Sequence, residues 1–417
     1  MPSILPLEIE EMIFDILGED DKGHSTLKTC SLVCQAFLHI CRRHIFESVS
    51  LNSSTIRASN FGRLLRETPE IADYIRQLDF TIGVAVLAIP SFQESLKRIS
   101  RLKFLRVQPR HGISPTLNWS NNLIRPLLLH LLHLPTLTHF KVNNVNGFVV
   151  SDLIPCVNLK HLDIGLMTVA AKNTFPATLS EHSIQLNKLV AQTGAPSTIM
   201  KLCTVRRPDG HPIIDFGSLS NIKVDIDKPN EGEASQELFR HCHVLTNVRI
   251  TCKYYLYCDH QDFELFASVL VRDPNNVRPS LADMLRPSMQ TLKHIVLDLY
   301  NLYDFDVDLL PGFGIPSELE DVRNKNIIET IGISVTSIHW VRGNVRVFDW
   351  GRLDEVLTAL GWFSLKRVSL TMRIHRYNSG GNESELDVAL RNLQIRQFPR
   401  LSSSNSVSFN FKVTHVQ

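Results

Sequence analysis

The sequence predicts an α/β protein in which a small N-terminal unit of three helices precedes a large, irregular repeat body with a parallel sheet. Two observations predict this fold. The first fifty residues carry apolar side chains at helical spacing in three short stretches that are separated by polar residues. After them, a six-residue phrase with apolar first, fourth and sixth positions returns many times, with helical or loop segments between its copies. We therefore divide the chain into residues 1–50 and 51–417.

The first predicted helix begins at Pro6, because proline suits the first turn of a helix, and Glu8 lies favourably near its positive end. Apolar residues recur at spacings of three and four and predict one apolar face: Ile9, Met12, Ile13, Ile16 and Leu17. Gly18 is predicted to end this helix, and a charged loop follows.

A second helix is predicted from Ser25, with the apolar positions Leu27, Cys30, Leu32 and Val33. A third is predicted with the apolar positions Phe37, Leu38, Cys41 and Ile45. The alternating segment 46–51 predicts a strand. About fifty residues seldom form a stable core alone, so we expect this unit to pack on its neighbour or on a partner protein.

The order and spacing of one set of residues in this segment closely resemble the F-box: Leu5-Pro6-x-Glu8, then Ile9, Ile13 and Leu17, then Leu27, then Val33-Cys34-x-x-Phe37, and finally Phe46 with Val49 and Leu51. The resemblance is greatest to the F-box-like proteins that are abundant in mushroom-forming fungi, which share the phrases Leu5-Pro6-x-Glu8, Ser31-Leu32-Val33-Cys34 and Arg42-Arg43-His44-x-Phe46. It covers about the first fifty residues only. Two features depart from better-known F-boxes: Phe37 stands where tryptophan is frequent, and the loop from Gly18 to His24 is longer and more charged.

The resemblance implies a protein partner, a Skp-type adaptor that is itself bound to a cullin scaffold. Nine residues match F-box positions that contact this adaptor: Leu5, Pro6, Glu8, Ile9, Ile13, Leu27, Val33, Cys34 and Phe37. The alternative is that these side chains form only the core of a three-helix cap, a role that Leu17 and Cys41 fit better than adaptor contact.

The repeated phrase of the body, Leu-x-x-Leu-x-Leu with variants, resembles the strand of a leucine-rich repeat. Its clearest copies begin at the following residues: Ile75, Leu102, Leu137, Leu159, Leu219, Leu245, Leu292 and Leu365. Helices are predicted between them at 61–66, 127–134, 235–242, 353–360 and 386–393, and long insertions at 168–197, 271–287 and 304–326. Each unit cannot bury its apolar face alone, so the strands should lie side by side, parallel and in chain order. The alternative is another α/β body with buried strands.

Composition excludes several classes of function. The 44 basic and 42 acidic residues nearly cancel, so neither nucleic acid nor an anionic membrane is an expected partner. The N-terminus lacks the basic and apolar regions of a signal peptide, and we find no apolar stretch long enough to span a bilayer. The sequence therefore predicts a soluble protein of the cytoplasm or nucleus that is not secreted, with cysteines present as buried thiols.

The sequence predicts no catalytic residue, cofactor or metal ion, and hence no enzyme. It contains neither a Gly-x-Ser-x-Gly elbow nor a nucleotide-binding Walker loop. The histidines and cysteines at 241–243, 252, 258 and 260 lack the paired spacing of a zinc site. Asp304, Asp306 and Asp308 resemble the start of a calcium loop, but the glycine and glutamate that such a loop needs are missing.

The resulting expectation is a substrate-recruitment subunit of a Skp/cullin/F-box ubiquitin ligase, whose repeat body binds an unknown protein target. Two other readings stay open. The protein is a scaffold whose repeats bind a partner without ubiquitin transfer, or an enzyme whose site has no recognisable signature.

Overall fold

The computed structural model describes residues 6–20, 24–52, 55–81, 89–109, 117–120, 123–170, 175, 182–192, 194–226, 229–253, 280–300, 315–337, 350–375, 392 and 394–416. The chain forms two compact units. The first unit comprises residues 1–185 and 205–214, and the second comprises residues 186–204 and 215–417. The domain boundary that the sequence predicts at residue 50 falls inside the first unit, and it stays a prediction.

The N-terminal segment forms the three predicted helices: α1 (Leu7–Asp20), α2 (Ser25–Cys30) and α3 (Gln35–Ile45). They share a small core of buried apolar side chains: Phe14, Leu27, Ile40 and Cys41. The prediction that Gly18 ends α1 is wrong, because the helix continues to Asp20. A Cβ atom at Gly18 would lie 2.9 Å from Nδ1 of His44, so this glycine allows α1 to approach α3 closely.

The rest of the first unit alternates helices with strands. Its helices are α4 (Thr55–Glu67), α5 (Ile71–Tyr74), α6 (Pro90–Leu96) and α7 (Arg125–Leu132), and a 3-10 helix spans Val150–Leu153. Its strands are β1 (Ser48–Asn52), β2 (Gln77–Thr81), β3 (Phe104–Val107), β4 (Leu117–Asn118), β5 (His139–Val142), β6 (Val145–Phe148), β7 (His161–Ile164), β8 (Met167–Val169) and β9 (Ile184–Gln185).

Two parallel sheets contain eight of these nine strands, all except β9. The main sheet has the order β1-β2-β3-β5-β7, and every neighbouring pair is parallel. A smaller parallel sheet has the order β4-β6-β8. The repeat prediction requires β5 and β7 to be parallel neighbours. They are, with Phe140 opposite Leu162. This part of the prediction is confirmed.

The second unit repeats the same alternation. Its strands are β10 (Lys188–Ala191), β12 (Asn221–Ile226), β13 (Asn247–Lys253), β14 (His294–Tyr300), β15 (Thr330–Ser337), β16 (Arg367–His375) and β17 (Ser408–Val416), and the short strand β11 (Ile214–Asp215) has one residue in each unit. Its helices are α8 (Pro196–Thr204), α9 (Pro229–Arg240), α10 (Leu281–Leu285), α11 (Ile315–Val322), α12 (Gly351–Thr358) and α13 (Pro399–Ser403). Three 3-10 helices span Phe216–Ser218, Arg286–Ser288 and Arg323–Lys325.

Seven strands of this unit form a parallel sheet in chain order, β10-β12-β13-β14-β15-β16-β17. The helices from α8 to α13 each contact the next one along the chain, as expected of stacked repeats. The predicted fold class, an α/β chain with three N-terminal helices and an irregular repeat body with a parallel sheet, is thus confirmed.

Burial explains why the six-residue phrase recurs. In the copy that begins at Leu159, the first, fourth and sixth residues are Leu159, Leu162 and Ile164, and none is more than 2% exposed. The first leucine precedes the strand by two residues, and the other two point into the core from alternate strand positions. Each repeat therefore contributes three apolar side chains to a shared core.

Seven strands were not predicted: the short strands β4, β6, β8, β9 and β11, and two strands of the longer sheet, β10 and β15. Segment 168–197 was assigned to an insertion, but it contains β10, and β15 follows the segment assigned to the insertion 304–326. Both strands belong to copies of the phrase that begin at Leu186 and Ile328. These two copies differ from the repeated phrase, and the sequence analysis therefore missed them. The first copy ends in the small residue Ala191, and the second carries Gly332 within the strand.

Four of the predicted helical segments lie largely within α4, α7, α9 and α12 and are confirmed. The fifth, at 386–393, lies outside the described residues except for Asn392. The predicted last strand is also confirmed as β17.

Candidate functional site

The helix α1 carries apolar side chains on two sides, and only one side faces the core. Phe14 is 4% exposed and Leu17 packs against the same core. The helical repeat of 3.6 residues places Ile9, Met12, Ile13 and Ile16 on a different side of α1, whereas Leu7, two turns before Phe14, lies on the core side at the start of the helix. All five are between 38% and 57% exposed.

The link between α2 and α3 adds two exposed apolar side chains. The backbone N–H of Leu32 donates to the carbonyl of Thr29 at 3.1 Å, and that of Val33 donates to the carbonyl of Cys30 at 3.0 Å. These hydrogen bonds end α2 in a tight turn that leaves Leu32 85% and Val33 68% exposed. Cys34 follows in an extended conformation, is exposed, and precedes the first turn of α3.

We call the exposed set the N-terminal apolar surface: Leu7, Ile9, Met12, Ile13, Ile16, Leu32 and Val33. These seven residues are a large share of the 18 large apolar side chains that are exposed in the described part of the chain. Single exposed apolar residues are ordinary, but such a concentration within 27 consecutive positions (7–33) is typical of a protein interaction site.

The core beneath this surface holds the three helices in place. The ring of Phe37 packs edge-on against that of Phe14, with ring centroids 4.9 Å apart. A guanidinium nitrogen of Arg43 lies 2.9 Å from a carboxylate oxygen of Asp15, which joins α3 to α1. Nε2 of His44 lies 3.1 Å from the same oxygen. Exposed ion pairs contribute little free energy, so the apolar core is the main support of the surface.

The structure describes eight of the nine predicted adaptor contacts and separates them into exposed, half-buried and buried side chains. Six of them are exposed: Pro6, Glu8, Ile9, Ile13, Val33 and Cys34. Phe37 is half-buried against the core, and Leu5 lies outside the described residues. The assignment of Leu27 to the contact surface is wrong, because its side chain is 0% exposed and fills the centre of the three-helix core.

We expect Leu27→Ala to lower the free energy of unfolding of the N-terminal helices by about 2–4 kcal/mol, because it leaves a cavity in a small core. Val33→Ala should change it by less than about 1 kcal/mol, because that side chain already contacts water. Urea denaturation followed by circular dichroism measures both. Equal losses in the two variants would contradict this division between core and surface.

The strand faces that point away from the core carry polar side chains in register. In the first unit, one row across the sheet contains Asp79, Arg106, Lys141 and Asp163. Arg106 pairs with Asp79 at 2.8 Å and Lys141 pairs with Asp163 at 2.5 Å. The row is therefore rich in hydrogen-bonding groups while its charges cancel.

The second unit has a comparable ion pair on its strand face. Arg249 of β13 donates two hydrogen bonds to the carboxylate of Asp298 on β14, and the Nη2–Oδ1 distance is 3.1 Å. These hydrogen bonds raise the pKa of Arg249 above its usual value. Sequence analysis did not identify these residues, because the outward strand positions follow no pattern that a single sequence reveals.

The alternative metal sites receive no support from the residues that the structure describes. Cys242 is buried at the end of α9, where its thiol donates to the carbonyl of Leu238 at 3.3 Å and burial raises its pKa. Positions 258 and 260, and the three aspartates at 304, 306 and 308, lie outside the described residues. Within the described ranges, no three His, Cys, Asp or Glu side chains are grouped so that they could hold a metal ion.

No helix in the described segments combines the length and the apolar character that a membrane span requires.

Comparison with known proteins adds a likeness in fold. No family model matches the chain, and no curated protein matches it. Among solved structures, the chain is similar to the leucine-rich repeat-containing protein LegL7 from Legionella pneumophila, with a TM-score of 0.37 and 11% sequence identity. The alignment covers 88% of this chain and 90% of that one. A TM-score this low carries no argument about what the protein does.

Proposed function

We propose that this protein is the substrate-recruitment subunit of a Skp/cullin/F-box ubiquitin ligase. Residues 1–50 bind a Skp-type adaptor, and through it a cullin scaffold, while residues 51–417 bind a protein target whose identity is unknown. The supporting observation is that Ile9, Ile13, Val33 and Cys34, which the F-box resemblance assigns to the adaptor, are exposed in and beside the N-terminal apolar surface.

Burial of apolar surface provides the driving force for this contact. Ile9 and Ile13 lie one turn apart on α1, an arrangement with which an amphipathic helix fits a groove in a partner. Removing apolar surface from water contributes about 25 cal/mol per Å², so a few such side chains account for a large part of a specific affinity. The same contact relieves the N-terminal helices of their exposed apolar surface.

The chain acts by position and makes or breaks no covalent bond. It holds a target close to a ubiquitin-conjugating enzyme that the cullin scaffold carries, and this raises the effective concentration of the two reacting proteins. The proposal places the protein in the cytoplasm or the nucleus, where the ubiquitin machinery acts. It involves neither nucleic acid nor a membrane.

The polar strand faces are the proposed contact for the target. Parallel repeats hold outward side chains such as Arg106, Lys141 and Arg249 on a rigid frame, as repeat proteins do at their binding surfaces. Opposite charges within the rows cancel, so recognition would rest on matched hydrogen bonds and shape.

Binding of the full chain to a recombinant Skp adaptor tests the proposal most directly. We expect a one-to-one complex in size-exclusion chromatography and a dissociation constant in about the micromolar range or below. A full chain that stays separate from the adaptor would reject the ligase assignment and favour the scaffold, whose repeats bind a partner without ubiquitin transfer.

The cysteines give a local readout of this contact. All seven described cysteines are thiols; Cys34 is exposed, Cys30 and Cys252 are intermediate, and the others are buried. The prediction that the thiols are buried is therefore wrong for Cys34. Burial raises the pKa of Cys41 to about 11, so its reactive thiolate is scarce at neutral pH.

We expect Cys34 to react with a maleimide much faster than Cys41 in the native protein. Bound adaptor should slow the labelling of Cys34 by at least about tenfold, because a covered thiol is inaccessible. Mass spectrometry of peptides measures the labelling at each site. Labelling of Cys34 that adaptor leaves unchanged, in a sample where the complex has formed, would place the adaptor elsewhere.

A further inference from the structure

Among the strands that the structure describes, β17 stands at the edge of the sheet in the second unit. It spans nine residues, Ser408–Val416, and pairs along its whole length with β16. No other strand of the described segments pairs with its second edge. A long unpaired edge is a template for pairing with another chain, and the end of a repeat array needs a cover for its core.

The core side of β17 is also incompletely covered. Val368, Leu370 and Met372 of β16 are 2%, 2% and 8% exposed. Their partners in register are only half-buried: Phe409, Phe411 and Val413. The ring of Phe398 covers one side of the two phenylalanines, with centroid distances of 5.3 Å and 6.3 Å. Apolar surface therefore reaches the open end of the sheet.

We propose that β17 pairs antiparallel with β17 of a second copy of this chain, about a two-fold axis through Phe411. The backbone directions support this register. The N–H of Ser408 donates to the carbonyl of Lys366, so Ser408 and every second residue after it turn their backbone groups toward β16. The residues between them, Phe409, Phe411 and Val413, turn theirs toward the open edge.

A two-fold axis at Phe411 places these residues opposite one another. Phe411 faces its own copy, and Phe409 faces Val413 of the other chain. The outward-facing side chains then form the pairs Ser408–Thr414 and Asn410–Lys412, which bring no like charges together. Apolar side chains thus meet on the core side and polar ones on the other side, as stable antiparallel pairs require.

Neighbouring registers fit less well. An axis at Lys412 would bring the two lysines face to face, and like charges directly opposite each other are destabilising. An axis at Asn410 would limit the overlap of the described strand to five residues, 408–412, and would leave Val413 without a partner. Of the axes at Asn410, Phe411 and Lys412, the sequence of β17 therefore favours the one at Phe411 for a symmetric dimer.

Sedimentation of the full chain over a range of concentrations tests the dimer. We expect a reversible monomer–dimer equilibrium. Asn410→Lys should raise the dissociation constant about tenfold, because it places two lysines opposite each other at two symmetric positions. Adding Lys412→Glu to that variant should restore the dimer, because each pair then joins opposite charges.

Asn410 and Lys412 are both exposed, so these variants should keep the fold, and an unchanged melting temperature verifies this. Phe411→Asp should abolish the dimer more completely, because it places two carboxylates on the axis. A chain that is monomeric at every concentration overturns the proposal. A dimer that Asn410→Lys does not weaken also overturns it, because the copies would then meet through another surface. Neither result bears on the adaptor contact.

Discussion

Replacing Ile13 by aspartate is expected to abolish binding to a Skp-type adaptor, with a loss of affinity of at least about 100-fold, while the protein stays folded. Ile13 lies in α1 at the N-terminal apolar surface and is 41% exposed, so the monomer tolerates a carboxylate there. In the complex the same carboxylate would be buried against apolar groups without a partner, which costs several kcal/mol. Isothermal titration calorimetry with recombinant adaptor measures the loss.

Ile56→Asp is the matched control for this variant. Ile56 is an exposed isoleucine on α4, 71% exposed, and the substitution makes the same chemical change outside residues 1–50. It should bind adaptor with the affinity of the parent protein. If Ile13→Asp binds the adaptor as tightly as the parent protein and Ile56→Asp do, and its melting temperature is unchanged, then α1 is not the adaptor-binding helix and the F-box assignment fails.

The repeat body was predictable because its pattern expresses a packing requirement. Each copy must bury three apolar side chains at fixed strand positions, so Leu159, Leu162 and Ile164 reveal a strand even without an alignment. The pattern fails where packing accepts smaller residues. Ala191 closes its copy with a small side chain, and Gly332 lies within its strand, so a search for repeated leucines passes over both.

The N-terminal site was predictable only in part, because periodicity shows that a helix face is apolar but not what covers it. Ile9 and Ile13 matched the F-box pattern and prove to be exposed, whereas Leu27 matched the same pattern and proves to be core. Phe14 is the residue of α1 that enters the core most deeply, and it lies outside the predicted apolar face. Which of two apolar sides a helix buries depends on the helices that pack against it, so it follows from tertiary contacts.

The buried carboxylate of Asp354 shows how one repeat is tied to the next in the second unit. Asp354 belongs to α12 and is 2% exposed. Its two oxygens accept hydrogen bonds from the backbone N–H groups of Arg400 and Leu401, at 3.0 Å and 2.8 Å, in the first turn of α13. These N–H groups have no acceptor within their own helix, because the first turn of a helix leaves its donors unpaired. The carboxylate therefore caps α13 from the preceding helix.

Asp354→Ala is expected to lower the free energy of unfolding of the second unit by about 3 kcal/mol or more, because it leaves the backbone N–H groups of Arg400 and Leu401 without an acceptor in a largely buried setting. Glu355→Ala is the matched control. Glu355 is the adjacent residue and pairs with the side chain of Arg400 at 3.2 Å, but both side chains are more than half exposed, so the loss should be below about 1 kcal/mol.

Urea denaturation gives the stability, and hydrogen exchange of segment 399–403 gives the local effect. Exchange at Leu401 should rise sharply in Asp354→Ala and stay slow in Glu355→Ala. Equal behaviour of the two variants would show that the buried carboxylate contributes no more than the exposed ion pair, and that apolar contacts alone join α13 to α12.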